Sequence, residues 1–172
     1  IILSSSGSST FVGISSSAWL VNKGSTTSNT IGHASTASSI NYAVTGIARG
    51  MNISGGSTVN VGTLGAGSNT IANLNASNTG TTTQIYGISY TGTITAMTVA
   101  NNQIHDLICA GTKTGDISSV STTNASLSSA IGVLSASAST GQTITGNTIY
   151  ALRSTTATTN NTNVVGIGVD VS

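Results

Sequence analysis

The sequence has no proline and very little charge. Its 172 residues include four Lys or Arg and three Asp or Glu, so 4% are charged and the formal net charge is +1. A typical soluble domain has about 25% charged residues. So few scattered cations cannot neutralise a run of phosphates, and the sequence therefore excludes a nucleic-acid-binding surface. The four cations are Lys23, Arg49, Lys113 and Arg153.

Other absences narrow the class of protein further. The helix formers Gln, Lys and Leu are scarce and glutamate is missing, which is typical of a chain built from strands and turns. The single cysteine, Cys109, cannot form an internal disulfide. No apolar run of about 18 residues could cross a bilayer, and no basic-then-apolar leader stands at the start. The chain begins at Ile1 without methionine, which predicts a processed piece of a longer protein.

Small polar residues and β-branched residues fill the chain instead. Ser, Thr, Asn and Gly are abundant, and 37% of the residues are hydrophobic. A polar bias of this kind is also typical of disordered chains. The Ile and Val residues, however, recur at regular places, which disordered tracts do not show. We therefore predict a folded, all-β chain of ordinary single-domain length.

One repeated element is an apolar residue, any residue, glycine and a second apolar residue. It occurs as FVGI, VTGI, IYGI, AIGV and VVGI. Glycine at this place indicates a position where crowding or a positive φ excludes a side chain. The predicted turn glycines are Gly13, Gly46, Gly87, Gly132 and Gly166.

A second element, Asn-any-Ile, then two residues and an apolar one, alternates with the first. It reads NTIGHA, NTIANL, NQIHDL and NTIYAL, and begins at Asn29, Asn69, Asn102 and Asn147. The step from glycine to the following asparagine is 15 or 16 residues in three units and 23 in the unit that begins at Gly46. We assign this excess to a loop insertion near 48–57, and we place a second insertion near 110–127.

These spacings predict a three-sided parallel β-helix. Without insertions one unit is about 33 residues, and with them up to about 45, so residues 1–172 make one segment of about four coils. The third strand of each coil is clearest at 91–99 and 140–146. Neither end resembles a cap, so we expect the segment to continue in a longer chain or to stack end to end into a filament.

The geometry of such a coil explains the repeated letters. Coils lie about 4.8 Å apart, so equivalent residues form columns. Asparagines at a corner can take a turn or left-handed conformation and bond to one another, which predicts an asparagine ladder of Asn29, Asn69, Asn102 and Asn147. The predicted core columns are Ile31, Ile71, Ile104 and Ile149 on one side, and Ile14, Ile47, Ile88, Val133 and Ile167 on another.

The xxGI and NTIxxL elements resemble the right-handed parallel β-helix repeats, with pectate-lyase-like coils, of very long secreted or surface-attached bacterial proteins. The resemblance covers nearly the whole chain and implies a right-handed coil at an extracellular or cell-surface location. That group includes polysaccharide lyases and hydrolases, phage tail-spikes, adhesins and structural fibre segments. The fold alone therefore does not select a function.

The segment HDLIC, residues 105–109, concentrates the reactive side chains. Neither His105 nor Asp106 belongs to the repeated pattern. Strand alternation predicts that His105 points to solvent and that Cys109 turns to the core, where a free cysteine acts as a small hydrophobe. A nucleophile that points away from its base cannot use it. We interpret the segment as one rung of the repeat rather than as a catalytic or metal site.

Catalysis would need more carboxylates than the chain supplies. Polysaccharide-cleaving β-helices use two or three neighbouring carboxylates, or carboxylates that bind Ca²⁺ beside a cationic base. The three here are Asp106, Asp116 and Asp170. Asp116 lies in the second insertion with Lys113, and Asp106 has Arg153 as its nearest expected partner on an adjacent coil. We predict no catalytic residue, no cofactor and no metal.

Two binding functions stay open as alternatives. Ice binding needs Thr-any-Thr in register on successive coils, and here Thr98 with Thr143 and Thr95 with Thr140 form an array only two ranks deep. Carbohydrate binding, as in an adhesin, would use exposed aromatic rings. The candidate rings are Trp19, Tyr42, Tyr86, Tyr90 and Tyr150. Tyr86 and Tyr150 occupy expected outward positions, on different faces.

Asn-any-Ser/Thr, the acceptor pattern for N-glycosylation, occurs outside the ladder. The candidate acceptors, all in predicted loops or insertions, are Asn52, Asn75, Asn124 and Asn160. The function that we predict is non-catalytic and structural: a building block of an extracellular surface fibre, stalk or filament. Its expected partners are further coils of its own kind and a surface glycan, with no nucleic acid and no membrane span.

Overall fold

The computed structural model describes residues 2–3, 9–17, 20–23, 28–62, 68–112, 129–136, 141–155 and 164–169. These residues form strands, turns and connecting segments, and no helix occurs among them. Every strand pairing among them is parallel. The predicted all-β class with parallel pairing is confirmed.

The strands in chain order are β1 (Ile2–Leu3), β2 (Ser9–Ser16), β3 (Leu20–Lys23), β4 (Thr30–Gly32), β5 (Ile40–Tyr42), β6 (Gly46–Ile53), β7 (Gly56–Val61), β8 (Thr70–Ala76), β9 (Gln84–Thr91), β10 (Ile94–Ala100), β11 (Gln103–Cys109), β12 (Ala130–Ala136), β13 (Gly141–Thr145), β14 (Thr148–Ser154) and β15 (Val164–Val169). β10 and β13 are the segments that the sequence predicted as the third strand of a coil.

The strands form three sheets. Sheet A has the order β1-β5-β8-β11-β14, with β4 also paired to β8; sheet B has the order β15-β12-β9-β6-β2; and sheet C has the order β13-β10-β7-β3. From β2 onward the chain visits sheets B, C and A in turn, with β4 and β5 sharing one place in sheet A. A chain that rotates through three parallel sheets in this way is compatible with a parallel β-helix.

Columns of apolar side chains run across the strands of each sheet and fill the space that the three sheets enclose. In sheet A, Ile31 and Ile104 pair with Ile71, and Ile149 pairs with Ile104, so one residue of each strand lies over the next. Ile71 and Ile104 are fully buried. Neighbouring inward residues of all three sheets join them in one continuous apolar core. Burial of these side chains is the main favourable contribution to folding.

In sheet B, the predicted alignment of the glycine column is wrong at one unit. Ile14 pairs with Met51, and Met51 pairs with Ile88, so the glycine column passes through Gly50 and not through Gly46. The letters ARGM at 48–51 fit the same four-residue pattern as VTGI at 44–47, and for this reason the sequence pattern alone selected Gly46 instead of Gly50. Met51 takes the core place predicted for Ile47, and Ile47 itself is half-buried outside the main core.

The predicted loop insertion at 48–57 is also wrong. Residues 48–53 lie in β6 and residues 56–57 begin β7. The additional residues fall between Val61 and Asn69 instead, because Val61 pairs with Val99, which is only three residues before Asn102. Of the second predicted insertion, 110–127, residues 113–127 lie outside the described residues.

A smaller apolar cluster, here called the outer cluster, lies apart from the main core. Along β12, Ala130 and Val133 belong to the main core while Ile131 and Leu134 belong to the outer cluster, so the outer cluster lies on the opposite face of sheet B. Its buried members are Tyr86, Ile131 and Leu134, and Ile47, Ala136 and Val165 pack against them. Sheet B therefore buries apolar side chains on both faces, and alternation alone does not tell its core face from its outer face.

Candidate functional site

An unbroken row of asparagine side chains follows one corner of the strands. Asn29 Nδ2 donates to Asn69 Oδ1 at 2.7 Å, and Asn69 Nδ2 donates to Asn102 Oδ1 at 2.8 Å. Asn102 Nδ2 donates in turn to Asn147 Oδ1 at 2.8 Å. Asn69 and Asn102 are completely buried, so these bonds lie in a medium where an unpaired amide would be costly.

The same amides also bond to backbone groups of the adjoining strands. Asn102 Nδ2 donates to the Val61 carbonyl at 3.0 Å, and Asn147 Nδ2 donates to the Val99 carbonyl at 2.8 Å. The backbone N–H of Asn102 donates to Asn147 Oδ1 at 3.0 Å. The amides of Asn69 and Asn102 thus each link a strand of sheet C to the next coil, and they satisfy corner groups that sheet pairing leaves open.

The left-handed conformation lies one residue before the place predicted for it. Asn101 and Gly146 have φ values of 56° and 61°, and each directly precedes a ladder asparagine, whereas the ladder asparagines themselves have no positive φ. A second left-handed column follows in the middle of the sheet A strands, at Asn73, Asp106 and Ala151, with φ between 52° and 58°. Asp106 therefore stands at a bend before Leu107, in the position of a backbone corner.

The glycine column of sheet B is a close approach of backbone to backbone. A Cβ on Gly13, Gly50, Gly87 or Gly132 would stand 2.5–2.7 Å from the carbonyl oxygen of the next glycine in the column. It would also meet the side chain of an inward isoleucine of sheet A, such as Ile104 at 2.6 Å from the Gly87 position. Only hydrogen fits there, which is the physical reason for the repeated glycine.

His105 is buried, so the prediction that it points to solvent is wrong. Its ring stacks on that of Tyr150 with centroids 4.7 Å apart and planes 6° apart, because Tyr150 pairs with His105 in the adjacent strand. Its Nδ1 lies 2.8 Å from Asp106 Oδ2. Asp106 therefore pairs with His105 and not with Arg153, whose strand position faces Ile108.

Cys109 faces the core, in agreement with strand alternation. It has no exposed surface, its thiol donates to the Thr83 carbonyl at 3.5 Å, and the Gly111 N–H donates to its sulfur at 3.4 Å. Burial raises the pKa of the thiol to about 11, against the opposing effect of the Gly111 bond. The thiol is protonated at neutral pH, and the thiolate needed for nucleophilic chemistry is disfavoured.

Arg49 lies over the ring of Tyr86, on the outer side of sheet B. Its guanidinium carbon is 5.5 Å from the ring centroid. Burial lowers the pKa of Arg49 and raises the pKa of Tyr86 to about 12, and the attraction between the two groups opposes both shifts. Among the described residues, Arg49 Nε is buried without a hydrogen-bond partner.

Most of the aromatic side chains proposed for sugar stacking are unavailable. Tyr42 and Tyr90 belong to the core, and Tyr86 is 2% exposed in the outer cluster. Tyr150 is 51% exposed and is the one candidate in the described residues with an open ring face. Trp19 lies outside the described residues.

The threonine array predicted for ice binding is short. Thr98 pairs with Thr143, as expected, but the next two members of that outward column are Asn60 and Asn22. Asn60 Nδ2 donates to Asn22 Oδ1 at 2.9 Å on the exposed face of sheet C. Thr140, the predicted partner of Thr95, lies outside the described residues.

Two of the four glycosylation candidates are not in loops. Asn52 lies in β6, where its Oδ1 accepts a hydrogen bond from Ser89 Oγ at 2.8 Å, and Asn75 lies in β8, paired with Ile108. Their predicted loop positions are wrong, because the NxS pattern here falls on strand residues. Asn124 and Asn160 lie outside the described residues, as do Lys113, Asp116 and Asp170.

No protein-family model, curated protein or solved structure matches the chain. Within the described ranges, no three or more His, Cys, Asp or Glu side chains gather in a group that could hold a metal ion. The same residues contain no helix with the length and apolarity to span a membrane.

Proposed function

We propose that the chain is a segment of a right-handed, three-sided parallel β-helix whose function is structural, as a building block of an extracellular surface fibre, stalk or filament. The observation that carries this proposal is the unbroken ladder from Asn29 to Asn147, with a hydrogen bond at every step. Such a ladder ties successive coils at one corner, while the apolar columns fill the interior. Both features resist bending and local opening of the rod.

The chemistry of the most reactive side chains supports a non-catalytic role. Cys109 is a protonated core residue, and the Asp106 carboxylate is joined to a histidine that is only 5% exposed. The chain also has just four Lys or Arg residues, so it offers trypsin few cleavage sites. Paired backbone and few cleavage sites suit a protein that persists outside the cell.

Two measurements test this proposal. Antibodies raised against the purified chain should label intact producing cells, and permeabilising the cells should not be required. The purified chain should resist proteinase K within its sheets for hours, since cleavage needs local unfolding of paired strands. Rapid cuts inside β8 or β11, or labelling only after permeabilisation, would contradict the structural or the extracellular part respectively.

Carbohydrate binding is the second candidate function, and Tyr150 is the observation that favours it. One face of its ring is stacked on His105, which the Asp106 carboxylate holds in place, and 51% of the residue is exposed. A ring fixed before binding loses little entropy when a sugar stacks on it.

A panel of immobilised neutral polysaccharides tests this second function. We expect Tyr150→Phe to retain binding, because stacking needs the ring alone, and Tyr150→Ala to abolish it. Thr148→Ala is a matched control, because Thr148 is also exposed and lies two residues before Tyr150 in the same strand, β14. Equal binding by the Tyr150→Ala chain would exclude the ring as the site.

A further inference from the structure

We propose that copies of this chain join head to tail, with β2 of one copy added to β15 of another as a further parallel strand of sheet B. This inference rests on the proposed structural function and names its partner, a second copy of the same chain. β2 and β15 are the outermost described strands of sheet B, at opposite ends of its order. Each leaves one row of backbone N–H and C=O groups open to a neighbour.

The inward residues of β15 are apolar and uncovered. Val164, Ile167 and Val169 are 41%, 48% and 53% exposed, although they continue columns whose earlier members are largely buried. Ile167 ends the column that begins at Ile14, and Val164 ends the column that begins at Phe11. A second copy placed in the same register would put Ile14 over Ile167 and Phe11 over Val164, so both columns would run on without a break.

The opposite end offers a matching recess. A cavity of about 660 Å³ opens beside β2 and is lined by Phe11 and Ile14 together with Ile31 and Ile40 of sheet A. Phe11 and Ile14 are half-buried. In the proposed contact the uncovered apolar side chains of β15 face the apolar side chains of β2 at this recess. Burying both apolar ends together removes them from water, which favours association.

The outermost strands of sheet C carry polar residues where the other sheets have apolar ones. Gln142 of β13 follows Val59 and Met97 in an inward column, and Lys23 of β3 pairs with Val61 in another. Inward polar or charged residues on an edge strand discourage a further strand from pairing. β15 lies two strands beyond β13 in the rotation through the sheets, so a contact through sheet B leaves the two sheet C edges apart.

Because the glycine column leaves no room for a Cβ at its paired positions, a Gly-to-Ala substitution in β15 can test the proposed contact. At the four interior steps a Cβ would stand 2.5–2.7 Å from the carbonyl oxygen of the next glycine, but at Gly166 nothing lies within 4 Å. In the proposed contact the carbonyl of Gly13 from the second copy fills that space. A methyl group at Gly166 would then be harmless within one chain and obstructive between two.

Sedimentation velocity and electron microscopy of the purified chain test the inference. We expect the unaltered chain to grow into rods as its concentration rises. Gly166→Ala should stay monomeric at the same concentrations, with an unchanged circular dichroism spectrum and melting temperature. Gly55→Ala is the matched control, because a Cβ at Gly55 also meets nothing within 4 Å and Gly55 lies between β6 and β7, outside both strands of the proposed contact. It should assemble like the unaltered chain.

Ile167→Lys tests the direction of the contact. The β2 edge of this variant is intact, so the variant should add to the β15 end of an unaltered rod. Its own β15 then accepts no further copy, and small amounts of the variant should shorten the rods severalfold. An unaltered chain that stays monomeric, a Gly166→Ala chain that assembles normally, or rods that keep their length with Ile167→Lys present would each overturn the inference. A monomer that still resists proteinase K would leave the proposed structural function standing.

Discussion

Tyr42 and Tyr90 are both core residues, but their hydroxyl groups differ in surroundings. The Tyr42 hydroxyl bonds to the carbonyls of Ser9 and Thr45, the latter at 3.2 Å. The Tyr90 hydroxyl is buried with no hydrogen-bond partner, and burial raises the pKa of Tyr90 well above its usual value. The chain thus contains one satisfied and one unsatisfied hydroxyl in otherwise similar positions.

Removal of each hydroxyl should therefore change stability in opposite directions. We expect Tyr90→Phe to raise the free energy of unfolding by about 1 kcal/mol, because an unpaired buried polar group is removed. Tyr42→Phe should lower it by about 1 kcal/mol, because carbonyl acceptors lose their donor. Urea unfolding followed by circular dichroism measures both changes, and a loss of stability in Tyr90→Phe would contradict this account.

Cys109 should react slowly with iodoacetamide while the chain is folded. Its pKa is raised to about 11 from a usual 9.0, so the thiolate is scarce at pH 8 and becomes more abundant only toward pH 11. Between about pH 9 and pH 11 the unfolded chain loses this proton and the folded chain keeps it, so the contribution of Cys109 to stability falls as pH rises.

Mass spectrometry of the alkylated chain, with and without urea, measures the protection of Cys109. Cys109→Ala is the control for labelling at other sites. Equal rates in the folded and the unfolded chain at pH 8 would show that Cys109 is not the core residue described above.

The ladder joins strands that are distant in sequence, and its interior members have the most bonds. Asn102 Nδ2 donates to Val61 and Asn147, and its Oδ1 accepts from Asn69, all within fully or partly buried surroundings. We expect Asn102→Ala to lower the free energy of unfolding by on the order of 3 kcal/mol, because several buried groups lose partners at once. Asn60→Ala, which removes an exposed Asn–Asn bond, should cost less than about 0.5 kcal/mol. Similar losses in the two variants would show that burial does not strengthen the ladder.

The glycine column predicts a second contrast between strand positions. A Cβ at Gly87 would stand 2.5 Å from the Gly132 carbonyl oxygen, so Gly87→Ala must push strands apart and should cost about 1–3 kcal/mol. Gly55→Ala meets no neighbour within 4 Å and should be neutral or slightly stabilising. Thermal melts of the two variants make the comparison, and a neutral Gly87→Ala would show that the sheet B strands can separate at no cost.

Charge contributes little to the stability of this chain as a unit. Only 4% of its residues are charged, and the one acid–base contact among the described residues joins Asp106 to His105. We expect the free energy of unfolding at neutral pH to change by less than about 0.5 kcal/mol between low and moderate NaCl concentrations. Urea titrations at the two salt concentrations measure it. A loss of several kcal/mol in salt would contradict an apolar and amide-bonded scaffold.

The repeated letters determined the parallel all-β class and the composition of most columns. Strand alternation and a regular spacing are properties of the chain itself, so Ile71, Ile104 and the four asparagines could be aligned from their spacing. The glycine column was ambiguous at one unit, because VTGI and ARGM lie four residues apart and both fit. Only pairing of Ile14 with Met51 selects Gly50.

Exposure, by contrast, depends on what lies in the neighbouring strand. His105 and Tyr86 alternate outward along their strands and were expected at the surface, yet Tyr150 covers the first and the outer cluster encloses the second. Periodicity shows the face of a strand to which a side chain belongs. Whether that face is open to water is decided by residues tens of positions away in sequence, which become neighbours only when the strands stack.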